Sequence, residues 1–277
     1  MIVDAHFHSW RLDRGDYGWL TPALAPIYRD VTIVDWQRQA RGCGVDAGVL
    51  VQAAPTEAET DWLLAQAQGD DSVVAVVGWA DLLAADAAAC VALRAAQPKL
   101  RGLRPMLHDI ADPDWILQPA LTPALRAMAH AGLVFDALVR PIHLPRIAEL
   151  ARRHPGLVIV VDHGAKPDIA GASWQPWADD LAAVAAQPNT VCKLSGLLTE
   201  AGPAPRADAA RRWARQVLAT FGPERVLWGS DWPVLELAAF YADWWQETNL
   251  LLDSLSPAQR AAVLGNNALR VYGQRGV

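Results

Sequence analysis

The sequence predicts an α/β fold, a closed (β/α)8 barrel of the TIM type, and three observations predict it. Eight short apolar runs alternate with longer, Ala-rich stretches from end to end. Several of these runs are nearly continuously hydrophobic, as parallel strands covered on both faces must be. The length of 277 residues suits such a barrel as one unit, residues 1–277. An open doubly wound sheet is the rival, but no G-x-G-x-x-G follows the first run to form a phosphate-binding turn.

The strand-like runs, in order, are Met1–Val3, Ala47–Val51, Val73–Val77, Leu100–Leu103, Leu133–Leu138, Leu157–Val161, Thr190–Leu194 and Val226–Trp228. Helix starts lie between them. Thr32-Ile-Val-Asp35 and Thr56-Glu-Ala-Glu59 have the form of capping boxes, in which hydroxyl and carboxylate satisfy orphaned backbone N–H groups. Thr122 before Pro123, and Ser256 before Pro257, place an N-cap ahead of a proline at the first helical position. Gly42 and Gly265 fall where helix C-caps are expected. The Pro- and Trp-containing stretches Trp10–Asp30 and Asp109–Thr122 read as loops over one end of the barrel.

Composition narrows the function. Hydrophobic residues make up 52% and charged residues 19%, which excludes a disordered chain. Twenty-four Lys and Arg against 30 Asp and Glu give a net charge of −6 without a block of like charge, which argues against nucleic-acid or anionic-membrane partners. Cys43, Cys90 and Cys192 are too few and too scattered for a disulfide framework. No apolar run approaches the roughly 20 residues that span a bilayer. A soluble, cytoplasmic protein is expected, and a homo-oligomer is compatible with the sequence.

His6 and His8 lie two residues apart at the end of the first strand, so a side-chain period of two points both imidazoles to one face. In a barrel that face is the interior, at the C-terminal mouth where barrel enzymes place their chemistry. Two imidazoles there could hold a metal ion or bond an oxyanion, although an H-x-H standing alone reads first as a pair of satisfied polar residues. Two further residues strengthen the reading. Asp231, in Gly229-Ser-Asp-Trp-Pro233, follows the eighth strand and meets the first once the ring closes. His163, in Asp162-His-Gly-Ala-Lys-Pro167, follows the sixth. A cap for Asp231 and simple packing for His163 are the competing readings.

These residues resemble the amidohydrolase superfamily, and more narrowly its sugar-lactonase branch of fuconolactonases and rhamnonolactonases. The segments that carry the resemblance are Asp4-Ala-His-Phe-His8, Val51-Gln-Ala-Ala-Pro55, Gly78-Trp-Ala-Asp-Leu82, Gly102-Leu-Arg-Pro-Met106, Asp162-His163 with Lys166-Pro167, Lys193-Leu-Ser-Gly196 and Gly229-Ser-Asp-Trp-Pro233. They run in family order over essentially the whole chain. The resemblance implies a TIM barrel that hydrolyses a cyclic ester, with Asp231 as general acid/base; the chemistry of that reaction then suggests His6, His8 and His163, with or without an ion, as the groups that polarise the carbonyl. Binuclear members carry a carboxylated lysine on strand four and a histidine on strand five. Here Arg104 and Phe135-Asp136-Ala137 stand there, so two metals are not expected. The resemblance leaves open one divalent ion, zinc foremost, on His6, His8, His163 and Asp231, and equally metal-free catalysis.

The substrate expected is a small-molecule sugar lactone, and polar groups at the other strand ends are candidates to bind it. These are Gln52, Asp81, Arg104 and Lys193, with Trp79 and Trp19 as stacking surfaces. Arg104 could fork onto a carboxylate or ring oxygen, or pair with Asp81 or Asp136. For Asp81, capping the next helix is the favoured reading over contact with substrate. Lys193 and Ser195 share a parity and both could face inward. Lys166 reads as a residue that orders its loop, and His108 as a solvated loop residue. The other expectations weighed are a metal-dependent decarboxylase on the same barrel, a non-catalytic sugar-binding barrel, and amide hydrolysis.

Overall fold

Eight parallel strands hydrogen-bond in chain order in the computed structural model, which describes residues 1–203 and 208–273. They are β1 (Val3–Phe7), β2 (Ala47–Val51), β3 (Val73–Gly78), β4 (Leu100–Leu103), β5 (Val134–Ala137), β6 (Ile159–Val161), β7 (Thr190–Leu194) and β8 (Val226–Trp228). The ring closes just beyond β8, where Trp232 bridges to Phe7 in parallel register. There the Asp231 N–H donates to the His6 carbonyl and the His8 N–H to the Trp232 carbonyl, both at 2.8 Å. The structure is therefore the (β/α)8 barrel that the alternating runs predict. Among the described residues no helix is long and apolar enough to cross a membrane.

The strands read as apolar runs because they face two dry layers. Val3, Ala5, Val49, Val51, Val77 and Leu227 belong to a cluster inside the barrel, whereas Phe7, Leu50, Val76, Leu103 and Trp228 pack outward against the helices. Those helices are α1 (Ile33–Gly42), α2 (Glu57–Ala67), α3 (Ala87–Arg94), α4 (Thr122–His130), α5 (Leu144–Arg153), α6 (Trp177–Ala185), α7 (Arg211–Phe221) and α8 (Tyr241–Leu251). Two short helices follow, α9 (Pro257–Ala261) and α10 (Asn267–Tyr272), and Ala268 and Tyr272 of α10 complete the interior cluster.

Several local expectations need correction. The first strand starts at Val3 and runs to Phe7 instead of occupying Met1–Val3, and its register shifts between Asp4 and Phe7. Such a bulge lets neighbouring residues face the same way. Thr32 with Asp35 and Ser256 with Gln259 do form capping boxes. Thr56 caps α2 through its hydroxyl alone, because the Glu59 carboxylate turns away to accept the Ala53 and Ala54 N–H groups. Thr122 is the first residue of α4, and Leu121 occupies the cap. Gly42 ends α1 without a left-handed turn, which falls instead on Gly44 at φ 72°. Gly265 lies within a π-helical turn, where a side chain would run into the Met1 carbonyl.

Glu59 is fully buried, and burial pushes its carboxyl from the usual 4.5 up to about 7, against the hydrogen bonds from Ala54 and Ala53. A carboxyl raised in the folded state binds its proton more tightly there. Its stabilising contribution is complete below pH 4.5 and is lost as pH rises toward 7. Glu59→Gln should remove this loss. Urea denaturation across pH 4.5 to 8 should show the wild type falling relative to the variant by at most about 3 kcal/mol.

Candidate active site

The bulge in β1 sets the site. It brings His6 to the interior directly after inward-facing Ala5, and His8 follows on the same side. Asp231 Oδ1 lies 3.6 Å from His6 Nε2, 3.4 Å from His8 Nε2 and 3.7 Å from His163 Nε2. All four side chains are buried. Contributions from strands one, six and eight thus meet at the barrel mouth, as the sequence reading requires.

The backbone is forced into unusual conformations to achieve this. Asp231 has φ 60°, and His163, Gly164, Ala165 and Lys166 form a left-handed run with φ 54°, 57°, 66° and 48°. Each non-glycine residue there costs roughly 1–2 kcal/mol. Trp177 Nε1 donates to the Gly164 carbonyl at 2.8 Å, Ser195 Oγ bonds His163 Nδ1 at 2.9 Å, and Lys166 pairs with Glu200. Lys166 thereby orders its loop and also lines the cavity. Gly196, itself at φ 60°, has to be glycine, because a Cβ there would stand 2.5 Å from His163 Nδ1 and 3.0 Å from Asp231 Oδ2. The Asp231 loop is held from outside the barrel. Buried Asp4 accepts from Ser230 N at 2.8 Å, Ser230 Oγ at 2.6 Å, and Trp36 Nε1 and Tyr241 OH at 3.0 Å each. Asp4 stood in the sequence motif, but its parity with His6 hid this outward role.

Beneath the imidazoles lies a column of buried charge. Lys193 Nζ is 2.6 Å from Asp136 Oδ2, 3.0 Å from Asp162 Oδ1 and 3.2 Å from His6 Nδ1. Tyr272 of α10 donates to Asp136 from below, at 2.8–2.9 Å. Arg104 Nη1 meets Asp162 at 3.2 Å, so its partner is neither Asp81 nor Asp136. Burial pushes the Asp162 carboxyl up, but Lys193, His6 and Arg104 hold it well below the usual range. Burial, with Lys193 beside it, drives His6 well below the ordinary imidazole value, and burial lowers His163 to about 4. For Asp231, burial works upward, while His163, His8 and His6 hold the carboxyl far below its ordinary value. Near neutral pH the centre therefore holds the Asp231 carboxylate beside the uncharged imidazoles of His6 and His163.

The remaining predicted residues separate into two groups. Arg104 and Trp19 line the cavity of about 190 Å³ that opens above His8, His163 and Asp231. Gln52 does not; its amide bonds the Arg104 carbonyl at 3.0 Å, and its Oε1 accepts from Arg104 Nη2 at 3.0 Å, so it aims the guanidinium. Lys193 is fully enclosed and faces His6. Trp79 and Asp81 line a neighbouring cavity, where Asp81 Oδ1 accepts the Leu83 N–H at 2.9 Å. His108 corrects the sequence reading. It is part of the wall of the cavity above His8, His163 and Asp231, its Nδ1 is buried without a partner, and burial followed by Arg104 lowers it to about 3. Its only sequence signal was its place in the loop after strand four.

The donor chemistry can be tested against a metal. His8 Nδ1 lies 2.8 Å from the Val51 carbonyl and must donate to it, which leaves Nε2 with a lone pair. His6 Nε2 and His8 Nε2 are 3.2 Å apart, close to the edge of about 3.3 Å in a tetrahedron with zinc–nitrogen bonds near 2.0 Å. His6, His163 and Asp231 also bring ligand atoms within 4.8 Å of one another. His6 can free its Nε2 by carrying its proton on Nδ1, with Asp162 Oδ1 at 3.5 Å to receive it. The residues therefore fit a single divalent ion.

The amidohydrolase family model matches residues 3–274 of the chain. An L-fucono-1,5-lactonase of Burkholderia ambifaria is 45% identical over 274 residues, covering 98% of this chain and 94% of that protein. An L-fucono-1,5-lactonase of Burkholderia multivorans is 35% identical over 287 residues, covering 98% and 95%. A crystal structure of an amidohydrolase from Burkholderia multivorans with bound zinc superposes with a TM-score of 0.92 at 33% identity, covering 99% of this chain and all of that one.

Removing the buried ammonium should be severe. Lys193→Met leaves Asp136 and Asp162 facing each other, and chemical denaturation should show a loss of about 3–5 kcal/mol. Adding Asp136→Leu removes one orphaned charge, so the double variant should recover part of that loss.

Proposed function

The chain belongs to the amidohydrolase family, and on that premise we propose that it opens the 1,5-lactone of a small sugar acid, of the L-fucono type, to the free acid. The observation that carries the reading is Asp231 Oδ1 within 3.4–3.7 Å of three imidazole Nε2 atoms at the floor of a cavity sized for one small ring. The two L-fucono-1,5-lactonases support it, since each aligns over nearly its full length.

In this reading Asp231 accepts a proton from water as the water oxygen bonds to the lactone carbonyl carbon. The ring C–O bond then breaks, and Asp231 returns the proton to the departing alkoxide. The new carboxylic acid ionises in solution, so each turnover releases one proton. Arg104, held by Gln52 and Asp162, and Lys166 give the cavity the positive potential that stabilises the tetrahedral oxyanion. His6, His8 and His163 orient the carboxylate. An alkoxide leaves more readily than an amine, so one carboxylate relaying a proton suits a cyclic ester better than an amide.

His6, His8, His163 and Asp231 are the residues that would hold a divalent ion, zinc by donor type. Such an ion supplies polarisation of the carbonyl and a more acidic water.

A pH-indicator assay over a panel of aldonolactones tests the activity. Asp231→Asn should lower kcat by about 10²–10⁴-fold with the circular dichroism unchanged; near-normal turnover removes Asp231 from the role. Elemental analysis, paired with turnover after dialysis against a chelator, tests the ion. One equivalent of zinc lost together with activity supports it, and full turnover by metal-free protein assigns the reaction to the side chains.

A further inference from the structure

A second cavity, of about 470 Å³, adjoins the catalytic one and is more than twice its size. Trp19, Met106 and Asp109 line both. The catalytic groups come from β1, β6 and β8, whereas this annex is built by the loops after β1, β2, β3 and β4. It therefore extends the site across the opposite half of the barrel mouth.

Its walls combine two kinds of chemistry. Trp19, Trp79 and Trp115 supply indole surfaces. Trp19 is fixed by its Nε1 donating to the Ala53 carbonyl at 2.7 Å, whereas the indole N–H groups of Trp79 and Trp115 have no partner among the described residues. Asp16, Asp81 and Asp109 place three carboxylates around the same space. Asp16 Oδ2 pairs with Arg14, Asp81 Oδ1 accepts the Leu83 N–H and Asp109 Oδ1 lies 3.2 Å from His108 Nε2, while Asp16 Oδ1 is buried without a partner. An anionic occupant would be repelled by the carboxylates, and a pure hydrocarbon would offer that orphaned oxygen no donor. A neutral polyhydroxylated ring satisfies both demands, with C–H faces for the indoles and hydroxyls that donate to carboxylates and accept from indole N–H.

We propose that the annex is a second substrate subsite for a neutral pyranose ring attached to the lactone, so that the substrates include aldonolactones carrying an O-linked sugar. Such compounds arise where an oxidation at the anomeric carbon converts the reducing end of a disaccharide into a lactone. The inference rests on the lactonase reading and extends it from one ring to two.

The test compares L-fucono-1,5-lactone with its 2-, 3- and 4-O-glucosyl derivatives. At least one derivative should show a kcat/KM about tenfold above the parent, carried by KM. Trp115→Ala should abolish that gain and leave the parent lactone within twofold of wild type. Values for all three derivatives at or below the parent, or an equal loss on both substrates in the Trp115 variant, overturn the subsite. If the wild type opens none of these lactones, the lactonase reading fails, and calorimetry with the ring-opened acids decides the annex separately. Tighter binding of a glucosylated acid, lost in Trp115→Ala, upholds the annex; equal binding of substituted and unsubstituted acids rejects it.

Discussion

The centre depends on one buried ammonium. Lys193 is enclosed between Asp136 and Asp162 and touches His6 from below. Buried charges survive only when geometry and further hydrogen bonds offset their desolvation. Here Tyr272 serves Asp136, and Arg104 and His6 serve Asp162. His6 Nδ1 faces both Asp162, which can accept a proton carried there, and Lys193, while the Arg104 guanidinium lies 3.4 Å from Nε2 as a donor, so the column biases His6 toward an Nδ1 proton and an open Nε2. It connects β4, β5, β6 and β7 to an imidazole on β1 and thus gives the barrel axis a fixed polar order beneath the mouth.

The second constraint is conformational. Asp231 and the His163–Lys166 segment sit in left-handed backbone, the kind of strain that clusters at functional sites when the surroundings over-determine it. Here the surroundings are identifiable. Asp4 gathers donors from the β8 loop, α1 and α8, and Trp177 ties the Gly164 carbonyl to α6. Gly196 leaves the space in which His163 and Asp231 approach each other. The stable part of the molecule is thus arranged around two segments that would relax elsewhere if released.

Much of this was legible in the chain. Apolar runs marked seven of the eight strands to within a residue or two, because both strand faces are dry. The His6–His8 spacing and the positions of His163 and Asp231 after strands six and eight placed them at one mouth, given ring closure. What the sequence withheld depends on contacts across the barrel. Periodicity cannot register the β1 bulge, which gives Asp4 and His6 opposite faces although they share a parity. The pairing of Arg104 with Asp162, and the burial of Lys193 away from the cavity, follow from which interior layer each reaches. Glu59 had the spacing of a capping box, but two nearer N–H groups outcompeted the helix end. His108 lies in a loop whose path over the mouth no local pattern encodes.

The hydroxyl of Tyr272 has a consequence for biosynthesis. It comes from the last helix yet bonds Asp136 at the barrel axis, and the first strand's imidazoles wait for a carboxylate from the loop after the eighth. On the ribosome, a nascent chain holding strands one to seven would carry Lys193 with its acidic neighbours but lack both Asp231 and the phenol that caps the column. Such a chain holds His6, His8 and His163 without the carboxylate that they surround. Synthesis through Tyr272 is therefore what brings together the Asp231 carboxylate and the phenol that caps the column, two parts contributed by the last stretch of the barrel to groups laid down much earlier.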